Sequence, residues 1–412
     1  MFYIAEKNLD RCKRCGVCDE IVACSSLRVG FKEACIGCGA CHLACPNEAI
    51  EMKERPRGKE IKIRVNGESF CVQERITVKR ALELLGYRMS KFPGEGDFFA
   101  PCETGGCYNC AVEIDGLIKP SCVTGVREGI EIETRLHKAH TPKRLVHGWM
   151  GHTVGGVGTP WQLKKAYGYI EAAVFACGCN LRCPQCQNWT TTYCGNELAL
   201  SPREAALLMT KARMSYEVDR MAISGGESTL NREWLVEYIR ELRKLNPDEK
   251  AKFHVDTNAS ILTKDYIDEL VESGMTDIGP DLKGLSLETF MRITGLKDKA
   301  LARKYHQTSW DAFEYLVENY KDRIFIGVGI PYNKDLISLE EISRIGDRLC
   351  SIDPEVQVCV LDYRPEFRRM NIKRPTYGEM VSVWRLLKRT GLKTIVCQTE
   401  FGHIGPKEPR LL

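Results

Sequence analysis

The sequence predicts a multidomain α/β protein in which a partial (β/α) TIM-like barrel follows two small cysteine-rich domains. Three observations carry this reading. The chain has 412 residues, too long for one ordinary core. Beyond residue 168, apolar strand-like runs alternate with amphipathic helical segments, and such alternation implies a parallel sheet with right-handed crossovers. Most of the 21 cysteines crowd into short runs before residue 125 and again at 179–186, a spacing that suits metal better than disulfides. The boundaries drawn from these patterns are 1–57, 58–135, a linker at 136–167, and 168–412.

Composition narrows the function. With 59 basic and 55 acidic residues the formal charge is +4, a near-balanced surface that gives no electrostatic case for nucleic acid or an anionic membrane. No apolar run approaches the roughly 18 residues needed to span a bilayer. The first residues, Met1 to Lys7, lack the basic-then-apolar form of a secretory signal. The expected setting is the cytoplasm of an organism with little oxygen.

Residues 1–57 carry eight cysteines in two groups. The second group, Cys35-x2-Cys38-x2-Cys41-x3-Cys45-Pro46, has the spacing of bacterial two-cluster ferredoxins, which this segment resembles. Gly37 and Gly39 leave room for amides to point at sulfur. The resemblance implies a crossover of ligands. Cys12, Cys15, Cys18 and Cys45 would hold one [4Fe-4S] cluster, and Cys35, Cys38, Cys41 and Cys24 the other. The first group departs from the pattern, because five residues separate Cys18 from Cys24 and no proline follows. A zinc ribbon would use four of these ligands and leave four over.

Residues 58–135 begin with a hairpin, strands 60–65 and 69–72 joined by Asn66-Gly67, and continue with a helix at 77–85 capped by Thr77. Then comes Cys102-x4-Cys107-x2-Cys110-x11-Cys122, a plant-type [2Fe-2S] pattern with a short last gap. In that gap it resembles the iron–sulfur subunit of succinate dehydrogenase and fumarate reductase, which implies a β-grasp fold holding one [2Fe-2S] cluster. Tyr108 stands where that family usually has glycine. The plain reading is a packed surface aromatic; the alternative is a phenol that tunes a cluster or reaches a neighbouring site. Cys71, in the hairpin, reads as a buried thiol. The linker holds His137, His140, His147 and His152 and glycines 151, 155, 156 and 158. Its histidines have no regular ligand spacing, so it reads as a solvated connector packed across the barrel.

The barrel opens with a strand at 169–175. Ser201-Pro202-Arg203-Glu204 reads as a capping box opening a helix to 214. Further strands fall at 220–223, 252–255, 276–279, 323–329, 356–361 and 394–397. Helices fall at 232–245, 264–272, 285–294, 308–320, 339–349 and 377–389. Ligands of such a barrel sit at the C-terminal ends of its strands. Polar groups that follow later strands, at Ile330 to Asn333, at Asp362 to Pro365, and at Gln398, Glu400 and His403, are candidates for the substrate side.

At the first strand end lies Cys179-x3-Cys183-x2-Cys186. Three thiolates can hold three irons of a [4Fe-4S] cluster, leaving the fourth open for a ligand. Ser224-Gly225-Gly226-Glu227, Asp256-Thr257-Asn258 and Asp281-Leu282-Lys283 follow later strands, and residues without Cβ let bare backbone approach a ligand. In this order the segments resemble the radical S-adenosylmethionine (SAM) superfamily, and within it the pyruvate formate-lyase activating enzyme group, over about residues 168–400. The resemblance implies that SAM chelates the open iron and is reductively cleaved to a 5′-deoxyadenosyl radical that abstracts hydrogen. It places Gly225, Gly226 and Glu227 at the SAM amino group, with Asp256, Asn258 and Lys283 nearby.

The implied cofactors are SAM, three [4Fe-4S] clusters and one [2Fe-2S] cluster, fed by an external low-potential electron donor. The group also implies activation of a partner glycyl-radical protein. Some members of that group carry an eight-cysteine ferredoxin, but after the radical motif, and here it precedes it. The alternatives are a radical SAM oxidoreductase or modifying enzyme acting on a small molecule or lipid, and an electron-transfer protein that uses the barrel as a scaffold. Neither the cobalamin-binding segment of radical methyltransferases nor a cysteine-rich tail is present in the sequence. Cys350, Cys359 and Cys397 read as core thiols. Cys177 and Cys194 flank the cluster motif, as buried thiols or as redox-active ones.

Overall fold

The computed structural model describes residues 2–24, 26, 34–56, 58–136, 140–164 and 167–407, so His137 lies outside the described residues. The chain forms two compact units that interleave in sequence. The first comprises Met1–His147, Ala176–Asn180 and Asn188–Ser201; the second comprises Gly148–Phe175, Leu181–Gln187 and Pro202–Leu412.

In the first unit, β1 (Phe2–Lys7) pairs antiparallel with β2 (Ile50–Arg55), and the eight N-terminal cysteines lie in the chain between them. β3 (Glu60–Val65) and β4 (Glu68–Gln73) form the expected hairpin. Asn66 and Gly67 both have positive φ, 50° and 81°, as a tight Asn-Gly turn requires. The helix Val78–Leu84 is capped by Thr77, whose hydroxyl accepts from Arg80 N at 3.0 Å. After the short strands β5 (Met89–Ser90) and β6 (Phe98–Phe99) come β7 (Ala111–Ile114), β8 (Leu117–Pro120) and β9 (Glu131–Glu133). The sheet order is β4–β3–β9–β7–β8, with β3 and β9 parallel. Alternation along β3 buries Ile61, Ile63 and Val65 against Ala81, Leu82, Val112, Ile114 and Ile132. Phe2 and Ile4 of β1 enter the same core, so residues 1–57 and 58–135 share it. The same alternation along β4 turns Cys71 outward; it is exposed rather than a buried thiol. β10 (Arg144–His152) crosses the unit boundary, and its first two residues pair with β12 (Ala199–Leu200).

The second unit is built on β11 (Glu171–Ala176), β13 (Arg220–Gly225), β14 (Lys252–Thr257), β15 (Asp277–Pro280), β16 (Phe325–Tyr332), β17 (Gln357–Asp362), β18 (Thr394–Thr399) and β19 (Gly402–Ile404). From β13 to β18 every neighbouring pair is parallel, and β19 folds back antiparallel. The strand order is linear, so the barrel is partial. Helices alternate with the strands. Arg232–Leu245 buries Trp234, Leu235, Tyr238, Ile239 and Leu242. Lys299–Tyr320 is a single helix, longer than the sequence pattern suggested, because Lys299, Arg303 and Lys304 make its first turns polar while Asp298 caps it. A complete capping box closes on Thr376 and Glu379.

The stretch that follows β10 differs from a solvated connector. Gly155, Gly158 and Thr159 are buried. Residues 156–161 run across the face of β14–β17 that carries His254, Asp256, Gly279, Gly327 and Gln357. Val157 N donates to Asp256 Oδ1 at 3.1 Å, Gln357 Nε2 donates to Thr159 O at 2.8 Å, and Trp161 N donates to Gln357 Oε1 at 2.7 Å. A Cβ on Gly158 would stand 2.5 Å from the carbonyl of Ile278, and one on Gly327 would stand 2.6 Å from Val157 O. Glycines on both sides of this contact let backbone lie on backbone.

Candidate active site

Three of the expected segments meet at the strand ends of the second unit. β13 ends in Gly225, whose φ of 122° favours glycine. Two residues on, Glu227 is buried and its carboxylate ties the loop to the end of β14. Oε1 accepts from Thr229 N at 3.0 Å, Thr229 Oγ1 at 2.7 Å and Thr257 Oγ1 at 2.6 Å, and Oε2 accepts from Asn258 N at 2.7 Å. Ser228 Oγ donates to Asp256 O. Asp281 N in turn donates to Thr257 O at 2.8 Å, and Leu282 N to Gly329 O at 2.8 Å. The side chain of Glu227 is therefore a clamp between strand ends. Asn258 turns its carboxamide oxygen onto Ser260 N at 3.0 Å and Ser260 Oγ at 2.5 Å.

Lys283 is buried and donates to Asp281 and to the Tyr363 hydroxyl, the latter at 2.7 Å. Burial disfavours its charge, but Asp281, Tyr363 and Cys183 outweigh burial and hold the ammonium well above its ordinary value. Burial pushes the Cys183 thiol up to about 12, and the nearby Lys283 charge pulls the other way.

The chain passes from the first unit to the second between Asn180 and Leu181, inside the three-cysteine motif. Cys179 is buried; Cys183 and Cys186 are half-buried. The second part of the loop is held by partners that motif spacing did not reveal. Arg182 N donates to Thr294 O at 2.9 Å and Gln185 Nε2 to Ile293 O at 2.8 Å. Arg369 donates to Gln185 Oε1 at 2.8 Å, while Arg368 N and Arg369 N both donate to Pro184 O. Two candidates for the substrate side, Asn333 and Asp362, bind neighbouring loops. Asn333 donates to Tyr363 O and Lys373 O, and Asp362 pairs with Arg374 at 2.6 Å. Burial drives His403 down to about 4, Gln398 is its cross-strand neighbour, and Glu400 is exposed. A further cluster lay beyond the motifs: His152 Nδ1 to Glu171 Oε1 at 2.9 Å, His254 Nδ1 to Glu171 Oε2 at 3.4 Å, and Arg220 to Asp277 at 2.9 Å.

In the first unit, Cys24, Cys35, Cys38 and Cys41 line one cavity of about 240 Å³ together with Thr104, Gly105 and Tyr108. Cys12 and Cys18 pack against a cluster of Cys41, Cys45, Ala49 and Ile50. Cys15 is exposed. Ala5 N approaches Cys35 Sγ at 3.4 Å and Ala49 N approaches Cys45 Sγ at 3.2 Å, so amides point at sulfur. Cys102, Cys107, Cys110 and Cys122 are all buried, with Cys102 and Cys107 Sγ 3.2 Å apart. Burial pushes Cys38 up to about 11 and Cys41 higher. Among the described residues no group of three or more His, Cys, Asp or Glu is set to hold a single metal ion. Sulfur-only donor sets, largely buried or half-buried and with amides pointing at Cys35 and Cys45, suit polynuclear iron–sulfur centres, whose positive charge offsets the cost of ionising the thiols. Cys177 and Cys194 are buried and hydrogen-bonded to each other, which brings Cys194 down to about 7. Cys359 and Cys397 are buried core thiols and Cys350 is half-buried.

Residues 174–343 match the family described as the radical SAM superfamily. The chain carries a radical SAM domain. Ahead of it, residues 58–137 match a 2Fe-2S iron-sulfur cluster binding domain and residues 30–51 a 4Fe-4S binding domain. Curated relatives include the probable GTP 3′,8-cyclases of Saccharolobus islandicus, 30% identical, and of Saccharolobus solfataricus, 29% identical. Each aligns over 150 residues, 36% of this chain and 42% of the relative. The chain thus spans less than half the length of the curated relatives it matches. Similar solved structures include SuiB of Streptococcus suis bound to S-adenosylmethionine (17% identity, TM-score 0.38, 52% of this chain and 44% of that one). Another is the radical SAM coproporphyrinogen III oxidase HemN of Escherichia coli (14%, TM-score 0.34, 46% and 44%).

Proposed function

We propose that this radical SAM chain binds SAM and a [4Fe-4S] cluster at the C-terminal ends of its barrel strands and abstracts hydrogen from a substrate. The observation that carries the reading is the clamp of Glu227 on Thr257 and Asn258, continued from Thr257 to Asp281, which holds three motif segments together. Cys179, Cys183 and Cys186 would hold the cluster. When bound and reduced, it supplies the electron that cleaves SAM to a 5′-deoxyadenosyl radical. The chain's own part is placement. Gly225 and Gly226 present bare backbone to the SAM amino group, and Asp256 and Asn258 stand beside them. Lys283 keeps a positive charge next to Cys183, which favours the thiolate that iron requires.

Two further [4Fe-4S] clusters, on Cys12, Cys15, Cys18 and Cys45 and on Cys24, Cys35, Cys38 and Cys41, would take electrons from an external low-potential donor. A [2Fe-2S] cluster on Cys102, Cys107, Cys110 and Cys122 completes the relay. The enzyme is then an oxidoreductase working in a cytoplasm poor in oxygen. Its target on the activating-enzyme resemblance is a glycyl-radical partner protein. A second reading, a small-molecule substrate, is favoured by the relatives named as GTP 3′,8-cyclases.

The test is anaerobic. Reconstituted, reduced chain plus SAM is expected to release 5′-deoxyadenosine, and Cys186→Ala to release none. A fully reconstituted wild type that makes none, with GTP and candidate partner proteins supplied, would return the chain to the electron-transfer reading.

A further inference from the structure

Tyr108 lies in the loop that carries Cys102, Cys107 and Cys110, and its backbone is left-handed, with φ 62°. A bulky side chain is disfavoured there, and glycine is not. In the same loop Gly105 is left-handed, with φ 83°, and Gly106 packs on Cys177, where a Cβ would stand 2.7 Å from the carbonyl carbon. Glu103 in the same loop is left-handed too, with φ 60°, so strain alone does not say what kind of role the Tyr108 side chain has.

The surroundings say what kind. The side chain lines the 240 Å³ cavity that Cys24, Cys35, Cys38 and Cys41 also line. In the chain it sits between Cys107 and Cys110 of the other set, and its carbonyl accepts from Ala111 N at 3.0 Å. It also packs against the cluster of Leu145, Cys177 and Cys194. Among the described residues its hydroxyl makes no hydrogen bond.

We propose that Tyr108 is a bridging residue between two sets of cysteines, its ring filling the gap between the centre held by Cys24, Cys35, Cys38 and Cys41 and the one held by Cys102, Cys107, Cys110 and Cys122. This rests on the iron–sulfur reading above. An electron crosses packed atoms more readily than an open or water-filled cavity. The ring is not oxidised or reduced. One electron leaves one set and enters the other, and no proton moves.

The experiment uses the full chain, reconstituted anaerobically, as wild type and as Tyr108→Phe, Tyr108→Leu and Tyr108→Gly. Iron content and the electron paramagnetic resonance signals of both reduced centres are recorded first. Stopped-flow reduction by dithionite then gives the rate at which the [2Fe-2S] centre equilibrates. Tyr108→Phe is expected to match wild type, and the leucine and glycine variants to equilibrate several-fold more slowly with both signals present at unchanged potentials. The leucine variant keeps bulk and the glycine variant relieves strain, so neither result reduces to misfolding. Wild-type rates in both overturn the proposal, as does a phenylalanine variant as slow as glycine. A wild type lacking either signal overturns the iron–sulfur reading itself, and this inference with it.

Discussion

His254 is enclosed between two carboxylates, Glu171 3.4 Å from Nδ1 and Asp256 3.1 Å from Nε2, with no exposed side-chain surface. Burial alone would depress its pKa; Asp256 and Glu171 reverse that and raise it to about 9. Glu171 answers in kind: burial would raise it, but His152 and His254 hold it well below the usual carboxylate range. A histidine raised in the folded state contributes stability in full below its unfolded value, near 6.5, and loses it as pH climbs through about 9. The contribution is about 3 kcal/mol. The thermal stability of wild type is therefore expected to fall between pH 6.5 and 9 by more than that of His254→Gln, the two curves converging above pH 9. A difference that does not change with pH would remove the charged imidazolium. Glu227 makes the complementary case. Glu227→Ala leaves Thr229 N, Thr257 Oγ1 and Asn258 N buried without this acceptor. It is expected to cost about 4 kcal/mol, read as a lower denaturation midpoint and absent 5′-deoxyadenosine. The Gly-Gly-Glu segment was legible in the sequence, but the direction of the glutamate was not. Its partners lie on β14, about thirty residues away, and only strand pairing brings them there.

At the scale of elements, strands and helices of the barrel were legible because apolar periodicity is strong where one face packs on a sheet. The helix Arg232–Leu245 was read to its exposed ends, and the polar start of Lys299–Tyr320 was not, since polar turns carry no periodic signal. The run of Gly155, Gly156 and Gly158 was visible only as a glycine-rich stretch. Its use depends on Gly279 and Gly327 in strands far along the chain, whose backbones it meets. Gly158→Ala would set a Cβ 2.5 Å from the Ile278 carbonyl, where backbone must move. The expected loss is about 3 kcal/mol in chemical denaturation. Gly378, in the first turn of the helix Tyr377–Arg389, has open space around it. Gly378→Ala is expected to stabilise by about 0.5 kcal/mol. Equal effects from the two substitutions would refute the packing of this segment on the strands.

At the scale of the molecule, linear boundaries miss how the chain is shared out. Residues 176–180 and 188–201 belong with the N-terminal unit although they lie beyond the linker, and a sequence window has no means of showing such a return. The ferredoxin resemblance implies a similar crossing of the cysteine sets, with Cys24 leaving its own run for the later one. Cys24 lines one cavity with Cys35, Cys38 and Cys41, while Cys12 and Cys18 pack against Cys41 and Cys45. If these sets each hold one centre, iron is lost in steps of a whole cluster. Wild type is expected to carry roughly 14 irons per chain, from three [4Fe-4S] and one [2Fe-2S] centres. Cys24→Ala is expected to lose about four of them, and Cys110→Ala about two. Cys71→Ala, which removes an exposed thiol on the outer face of β4, is expected to lose none. Iron and sulfide analysis of the reconstituted chains decides this. If Cys24→Ala retains the full iron content, its cluster has only Cys35, Cys38 and Cys41 as thiolate ligands. The N-terminal region would then hold a second centre with an open iron, a site for exchange as well as for relay.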